Sequence, residues 1–189
     1  MSKQIAGKLI VITGKTASGK DTVVSKLLIK YPDLKKIVTT TTRAPRKEEV
    51  NEVDYNFITE AEFRQKISNG ELIEYVEYGG NLYGTEKSRI NPNEDLIWKI
   101  DPSMAGKAKE VFPHSIVIYI TADNQTILKR LKARTLSESE IAKRMQDDQK
   151  FWDQFNDKYD YIVKNAPGKL NQTVDEIVNI ISPLLKLSF

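Results

Sequence analysis

The chain has no cysteine, one histidine, no long apolar run and no dominant sign of charge. Without cysteine there are no disulfides, thiol nucleophiles, Cys-ligated zinc sites or iron–sulfur clusters. A single histidine excludes multi-histidine metal sites and works against a Ser-His-Asp triad. His114 itself follows Phe112 and Pro113 at a break before a strand, and reads as an ordinary surface or strand-edge residue. The apolar stretch at residues 9–12 is far shorter than a signal-peptide core or the roughly 20 residues of a membrane span. The expectation is a cytoplasmic protein without a membrane partner. With 29 Lys and Arg against 26 Asp and Glu, the net charge of +3 is too small and too spread to argue for nucleic acid. The chemistry that remains uses carboxylates, hydroxyls, lysine, arginine and an oxygen-ligated cation such as Mg²⁺.

The 189 residues suit one domain at roughly 150 residues per domain. A chain of this size buries on the order of 70% of its unfolded surface, so its core needs no staple. Short apolar runs at residues 9–13, 36–39, 96–100, 116–120 and 161–163 read as buried strands. Helical periodicity recurs between them, at Val23, Val24, Leu27 and Leu28, and at Ile127, Leu128 and Leu131. It is clearest at Val174, Ile177, Val178 and Ile181, spaced i, i+3, i+4, i+7. Such alternation predicts an α/β fold with a central parallel five-stranded sheet covered on both faces.

Residues 42–88 break the rhythm. Thr59-x-x-Glu62 is a capping box that opens a short helix through Phe63 and Ile67, stopped at Asn69 and Gly70. Residues 72–78 and 81–83 then flank Gly79 and Gly80, a hairpin signal. This predicts a small β-rich insertion in a body made of residues 1–41 and 89–189. A polar segment beginning at Arg134 predicts a short lid over about residues 134–150. Ligands of open α/β sheets bind at the carboxyl ends of the strands, so insertion and lid are both expected to close over one cleft.

Gly14, Lys15, Thr16, Ala17, Ser18, Gly19 and Lys20 spell GxxxxGK after an apolar strand and before a helix. In that context the glycines let backbone N–H groups face a phosphate, the helix N-terminus adds partial positive charge, and Lys20 reaches the β/γ oxygens. The next position usually carries the hydroxyl that ligates Mg²⁺; here it is Asp21, followed by Thr22. A carboxylate facing phosphates is repelled unless a cation lies between, so Asp21 is expected to turn to solvent or, alternatively, to help hold Mg²⁺. A second set, Arg43 and Arg46 stiffened by Pro45, suits bidentate gripping of another phosphate. Tyr55 and Tyr83 add phenol hydroxyls beside it.

Together these residues resemble the guanylate kinase family. The matching pieces are the phosphate loop, Thr41-Thr42-Arg43-x-Pro45-Arg46, Val50-Asn51 with Asp54-Tyr55-x-Phe57, Gly70-Glu71-x-x-Glu74 and Gly80-Asn81-x-Tyr83-Gly84-Thr85. Further on come Ile100-Asp101, Lys129-Arg130-Leu131 with Arg134, Glu138-Ser139-Glu140 with Arg144, and Tyr159-Asp160-Tyr161 leading to Val163 and Asn165. The resemblance implies the P-loop NTPase three-layer fold and transfer of phosphate from ATP to GMP with Mg²⁺. It implies that Arg43, Arg46, Tyr55 and Tyr83 grip the GMP phosphate, and that Glu74, Thr39 and Thr85 form the guanine pocket. A carboxylate can accept from both the N1–H and the amino group of guanine, whereas adenine has no N1–H. Arg134 and Arg144 are implied to descend on the transferring group, Asn165 to meet adenine, and Asp101 to orient an arginine or a metal-bound water. The metal would be carried by phosphates and water, with Asp21 or Thr22 as protein candidates. Where the family usually has an acid the chain has Lys99, and where Gly or Ser is usual it has Asp21. The readings set beside this one are a kinase of the same fold for another nucleoside or ribose phosphate, and a non-catalytic module that binds phosphopeptides. Oligomeric state is left at monomer or homodimer.

Overall fold

The computed structural model describes residues 7–185, apart from Gly79 and Thr135. The N-terminal residues 1–6, the first glycine of the expected hairpin turn and one residue of the expected lid thus lie outside the described residues. Five parallel strands form the central sheet: β1 (Leu9–Gly14), β2 (Lys35–Ile37), β7 (Leu96–Lys99), β8 (Ile116–Thr121) and β9 (Tyr161–Lys164), in the order β2-β7-β1-β8-β9. β1 is central because every one of its side chains is buried. Its period-2 alternation feeds two cores. Ile10 and Ile12 face α1 (Lys20–Lys30) and α6 (Leu170–Ile181), meeting Val23, Val24 and Leu27 of one and Val174, Ile177 and Ile181 of the other. Leu9 and Val11 face Met104, Ala105 and Ala108 of α3 (Pro102–Val111). This is the three-layer α/β architecture of the P-loop fold.

The second sheet is mixed and small. It contains β3 (Thr40–Thr41), β4 (Asn56–Phe57), β5 (Leu72–Tyr78) and β6 (Asn81–Glu86), in the order β4-β3-β6-β5. The run expected as one strand over residues 36–39 is divided: the chain leaves the parallel sheet at Ile37 and pairs Thr40 with Gly84 and Asn56 in the second sheet. α2 (Glu60–Ser68) starts at a complete capping box, Thr59 with Glu62, and buries Phe63. Between α4 (Asn124–Lys132) and α5 (Glu138–Phe155) the chain turns once, and α5 opens on a second capping box, Ser137 with Glu140. Residues 138–150 of the segment expected as a lid are thus the first thirteen of the eighteen residues of α5. No helix among the described residues is long and apolar enough to cross a membrane. His114 is exposed.

Candidate active site

β1 delivers Gly14 to the carboxyl edge of the sheet, and α1 begins six residues later at Lys20. Gly14 has φ +142°, and a Cβ there would stand 1.9 Å from the carbonyl oxygen of Ile120. Gly19, the N-cap of α1, has φ +96°, and a Cβ would fall 2.5 Å from Asn165 Nδ2. Both positions therefore require glycine. Lys20 Nζ donates to the carbonyls of Gly14 at 2.7 Å and Lys15 at 2.8 Å. Burial pushes its pKa below the ordinary lysine range, while Asp148, Asp101 and Asp21 pull the other way.

The loop is braced from behind. Arg130 Nη1 donates to the carbonyls of Ala17 and Ser18, both at 3.1 Å, and Asn165 Nδ2 donates to that of Ser18 at 2.8 Å. Asn165 is buried, and its Oδ1 accepts from Thr173 at 3.3 Å. Lys15 Nζ reaches Asn124 Oδ1 at 3.1 Å. The Thr16 N–H donates to Asp148 on α5 at 2.8 Å. Ser18 is buried beneath the loop, and Thr22 is exposed in the first turn of α1.

The face opposite belongs to the second sheet and its loops. Thr39, Arg43, Arg46, Tyr55, Glu74 and Tyr83 line the same cleft as Thr16, Ala17, Gly19, Lys20 and Asp21, in about 900 Å³ of space open at its mouth. Arg43 Nη2 donates to both oxygens of Glu49, and the Arg46 N–H donates to Glu49 Oε2 at 2.8 Å. One carboxylate thus fixes both arginines. Behind the cleft runs a polar chain: Trp98 Nε1 donates to Thr85 Oγ1 at 3.0 Å, which donates to Glu74 Oε1 at 2.6 Å. Thr85 is fully buried in that chain.

At the floor, Asp101 caps α3, its Oδ1 accepting from the N–H and hydroxyl of Ser103, both at 3.1 Å; burial raises its pKa. Lys99 donates to Asp21. Burial alone would raise the Asp21 carboxyl, but Lys99, Lys20 and Arg134 hold it down to about 2. Asp21 is exposed, as expected of a side chain turned to solvent, yet its carboxylate is engaged by an ammonium. Arg134 and Arg144 line the cleft from the other side. The Arg144 guanidinium lies 5.3 Å from the Tyr78 ring centroid.

Four participants escape sequence reasoning: Glu49, Trp98, Lys99 in its pairing, and Asp148. Glu49 carried a usable signal, since an acid three residues past Arg46 in a tight loop is placed to fold back on it. A buried tryptophan and a helix aspartate carry none.

A glycine-bearing anion loop on one wall, paired arginines and phenols on the other, and arginines above define the class of P-loop kinases acting on small phosphorylated substrates. The family model described as guanylate kinase matches residues 6–184. The guanylate kinase of Synechococcus sp. (strain JA-3-3Ab) is 32% identical over 183 residues, covering 94% of this chain and 83% of its own. That of Fusobacterium nucleatum is 34% identical over 181 residues, covering 93% and 96%. The crystal structure of guanylate kinase from Anaplasma phagocytophilum superposes with a TM-score of 0.70 at 27% identity, covering 98% of this chain and 89% of that one. The chain belongs to the guanylate kinase family.

Proposed function

We propose that the chain transfers the γ-phosphoryl group of ATP to GMP, giving ADP and GDP, as a cytoplasmic enzyme of small-molecule substrates. The observation that carries the choice of acceptor is the Trp98–Thr85–Glu74 chain. The Thr85 hydroxyl donates to Glu74 Oε1, which orients the carboxylate in the cleft wall, and a carboxylate can accept from both donors on the guanine edge. Thr39 completes that pocket.

The donor phosphates take the loop N–H groups of residues 14–22, and Lys20 exchanges its carbonyl partners for β/γ oxygens. Arg43, Arg46, Tyr55 and Tyr83 hold the GMP phosphate in line with the γ-phosphorus. Arg134 and Arg144 neutralise charge on the transferring group. Little covalent chemistry is asked of the protein, because positioning and charge neutralisation account for most of the rate. Asn165 acts from behind the loop, and Asp101 holds the start of α3 against the site floor. The insertion of residues 42–88 and the lid of residues 134–150 close on the pair of nucleotides and exclude water.

The donor set at the site is oxygen, as a hard divalent cation requires. Among the described residues no three acids or histidines gather to hold a metal, and Mg²⁺ would be carried by phosphate oxygens and water. With Asp21 engaged by Lys99, Thr22 is the protein hydroxyl available to it. When bound, the ion shields the charge of the triphosphate. A coupled ADP-release assay with ATP-Mg²⁺ tests the assignment: signal with GMP supports it, and signal with a ribose phosphate instead contradicts it.

A further inference from the structure

Lys99 ends β7 with a side chain only 7% exposed. Its ammonium donates to Asp21 in the first turn of α1 and lies 4.4 Å from the centroid of the Tyr55 ring. Arg43 lies over the same ring at 5.5 Å. Three parts of the molecule therefore meet at this nitrogen: the parallel sheet, the helix that follows the donor loop, and the loop that carries the acceptor grip. A buried ammonium is tolerated only where anions or dipoles face it. Among the described residues its carboxylate partner is Asp21, which is 66% exposed, and Lys20 and Arg134 act on that same carboxylate. Three cations thus act on the Asp21 carboxylate, and Arg43, itself paired with Glu49, is gathered at Tyr55 beside Lys99. The residues lining the cleft include six lysines and arginines against three acids. An ammonium has three donors, and Asp21 and Tyr55 account for two.

We propose that Lys99 is a further acceptor-binding residue: its ammonium, paired with Asp21 in the absence of ligand, donates to the phosphate of the monophosphate acceptor beside Arg43 and Arg46. The proposal rests on the acceptor reading given above. Asp21 sits where it competes with the incoming phosphate for the ammonium, so the two halves of the pair have opposite effects on binding. A pair that merely ties β7 to α1 has no such asymmetry, since losing either half breaks the same tie.

The test measures GMP binding by isothermal titration calorimetry in wild type, Lys99→Met, Lys99→Arg and Asp21→Asn, with guanosine measured by displacement of bound GMP. Thermal melting of each variant serves as the check on folding. Lys99→Met is expected to weaken GMP binding about tenfold or more and guanosine binding less than twofold. Lys99→Arg, which keeps the charge, restores most of the loss. Asp21→Asn binds GMP as tightly as wild type or more tightly. The proposal is overturned if folded Lys99→Met binds GMP within twofold of wild type. It is equally overturned if Asp21→Asn weakens GMP binding, an outcome readable even where Lys99→Met does not fold. Equal wild-type affinity for GMP and guanosine would instead overturn the acceptor reading, and the proposal with it.

Discussion

Arg43 and Glu49 form an ion pair in which one guanidinium nitrogen, Nη2, donates to both carboxylate oxygens, at 2.8 Å and 2.9 Å. Both side chains are mostly buried, at 16% and 15% exposure, so the contact is not an incidental surface bridge. Burial alone would lower the Arg43 pKa, but Glu49 more than offsets it. Because the same carboxylate also receives the Arg46 N–H, it sets the spacing of the two arginines before any phosphate arrives. Glu49→Ala is expected to raise the KM for GMP about tenfold, since a charged hydrogen bond contributes roughly 1.5–3 kcal/mol. The KM for ATP should be unchanged. Steady-state kinetics with each substrate varied in turn checks this, and an equal change in both constants would contradict it.

The base pocket makes a separate prediction. Glu74→Gln replaces one acceptor oxygen with a donor and should lower kcat/KM for GMP about 10–100-fold, with a smaller loss for AMP. Trp98→Phe keeps the ring that packs edge-on against Phe112 at 5.7 Å but removes the N–H that fixes Thr85. It should raise the KM for GMP about 3–10-fold, and the smaller ring in this fully buried site should lower stability by about 1–3 kcal/mol, so the kinetics are compared well below the melting transition. A Trp98→Phe enzyme with wild-type GMP kinetics would show that the Thr85 hydroxyl needs no fixing.

Stability should depend on pH through Asp148. Burial pushes this carboxyl up to about 6 from its ordinary 3.8, against the opposing pull of Lys20 and the Thr16 N–H. Between those values the folded protein holds a proton that the unfolded chain has lost. The group's contribution therefore declines as pH rises through that window, and at pH 8 the ionised carboxylate costs on the order of 3 kcal/mol. Asp148→Asn keeps an oxygen for the Thr16 N–H and removes that cost. Urea denaturation should find it more stable than wild type at pH 8 and nearly equal at pH 4. The opposite pH trend would contradict the assignment of this charge.

How far the sequence reached depended on distance along the chain. The phosphate loop, the Thr59–Glu62 capping box and the α6 stripe are local patterns, set by spacings of at most seven residues, and each is legible without a structure, whereas the Ser137–Glu140 box went unread because the polar residues around it suggested a lid. The start of α3 was equally local, since Asp101 caps it and Pro102 occupies its first turn, although no apolar stripe announces it. The split of the expected second strand was not legible, because Thr40 and Thr41 are claimed by pairing with β6, more than 40 residues on. The site's charge pattern was the least accessible part. Lys99 and Asp21 are 78 residues apart, and Thr16 and Asp148 are 132 apart. Read singly, an aspartate in a phosphate loop and a lysine at a strand end are two anomalies. In the fold they form one ion pair.

Removing the central cations should abolish catalysis while sparing the fold. Lys20→Ala and Arg43→Ala are each expected to reduce turnover about 10³-fold, in the range associated with a lost phosphate-neutralising cation. Circular dichroism should show an intact α/β spectrum in both. Losses under tenfold in both would mean that these residues do not face the reacting phosphates.

The most direct measurement is ADP release with ATP-Mg²⁺ against a panel of GMP, AMP, CMP, UMP and ribose 5-phosphate, run with wild type and Glu74→Gln together. The account predicts turnover with GMP far above every other acceptor, and collapse of that preference in the variant. A wild-type enzyme that prefers another acceptor, or a Glu74→Gln variant that keeps full preference for GMP, would contradict it.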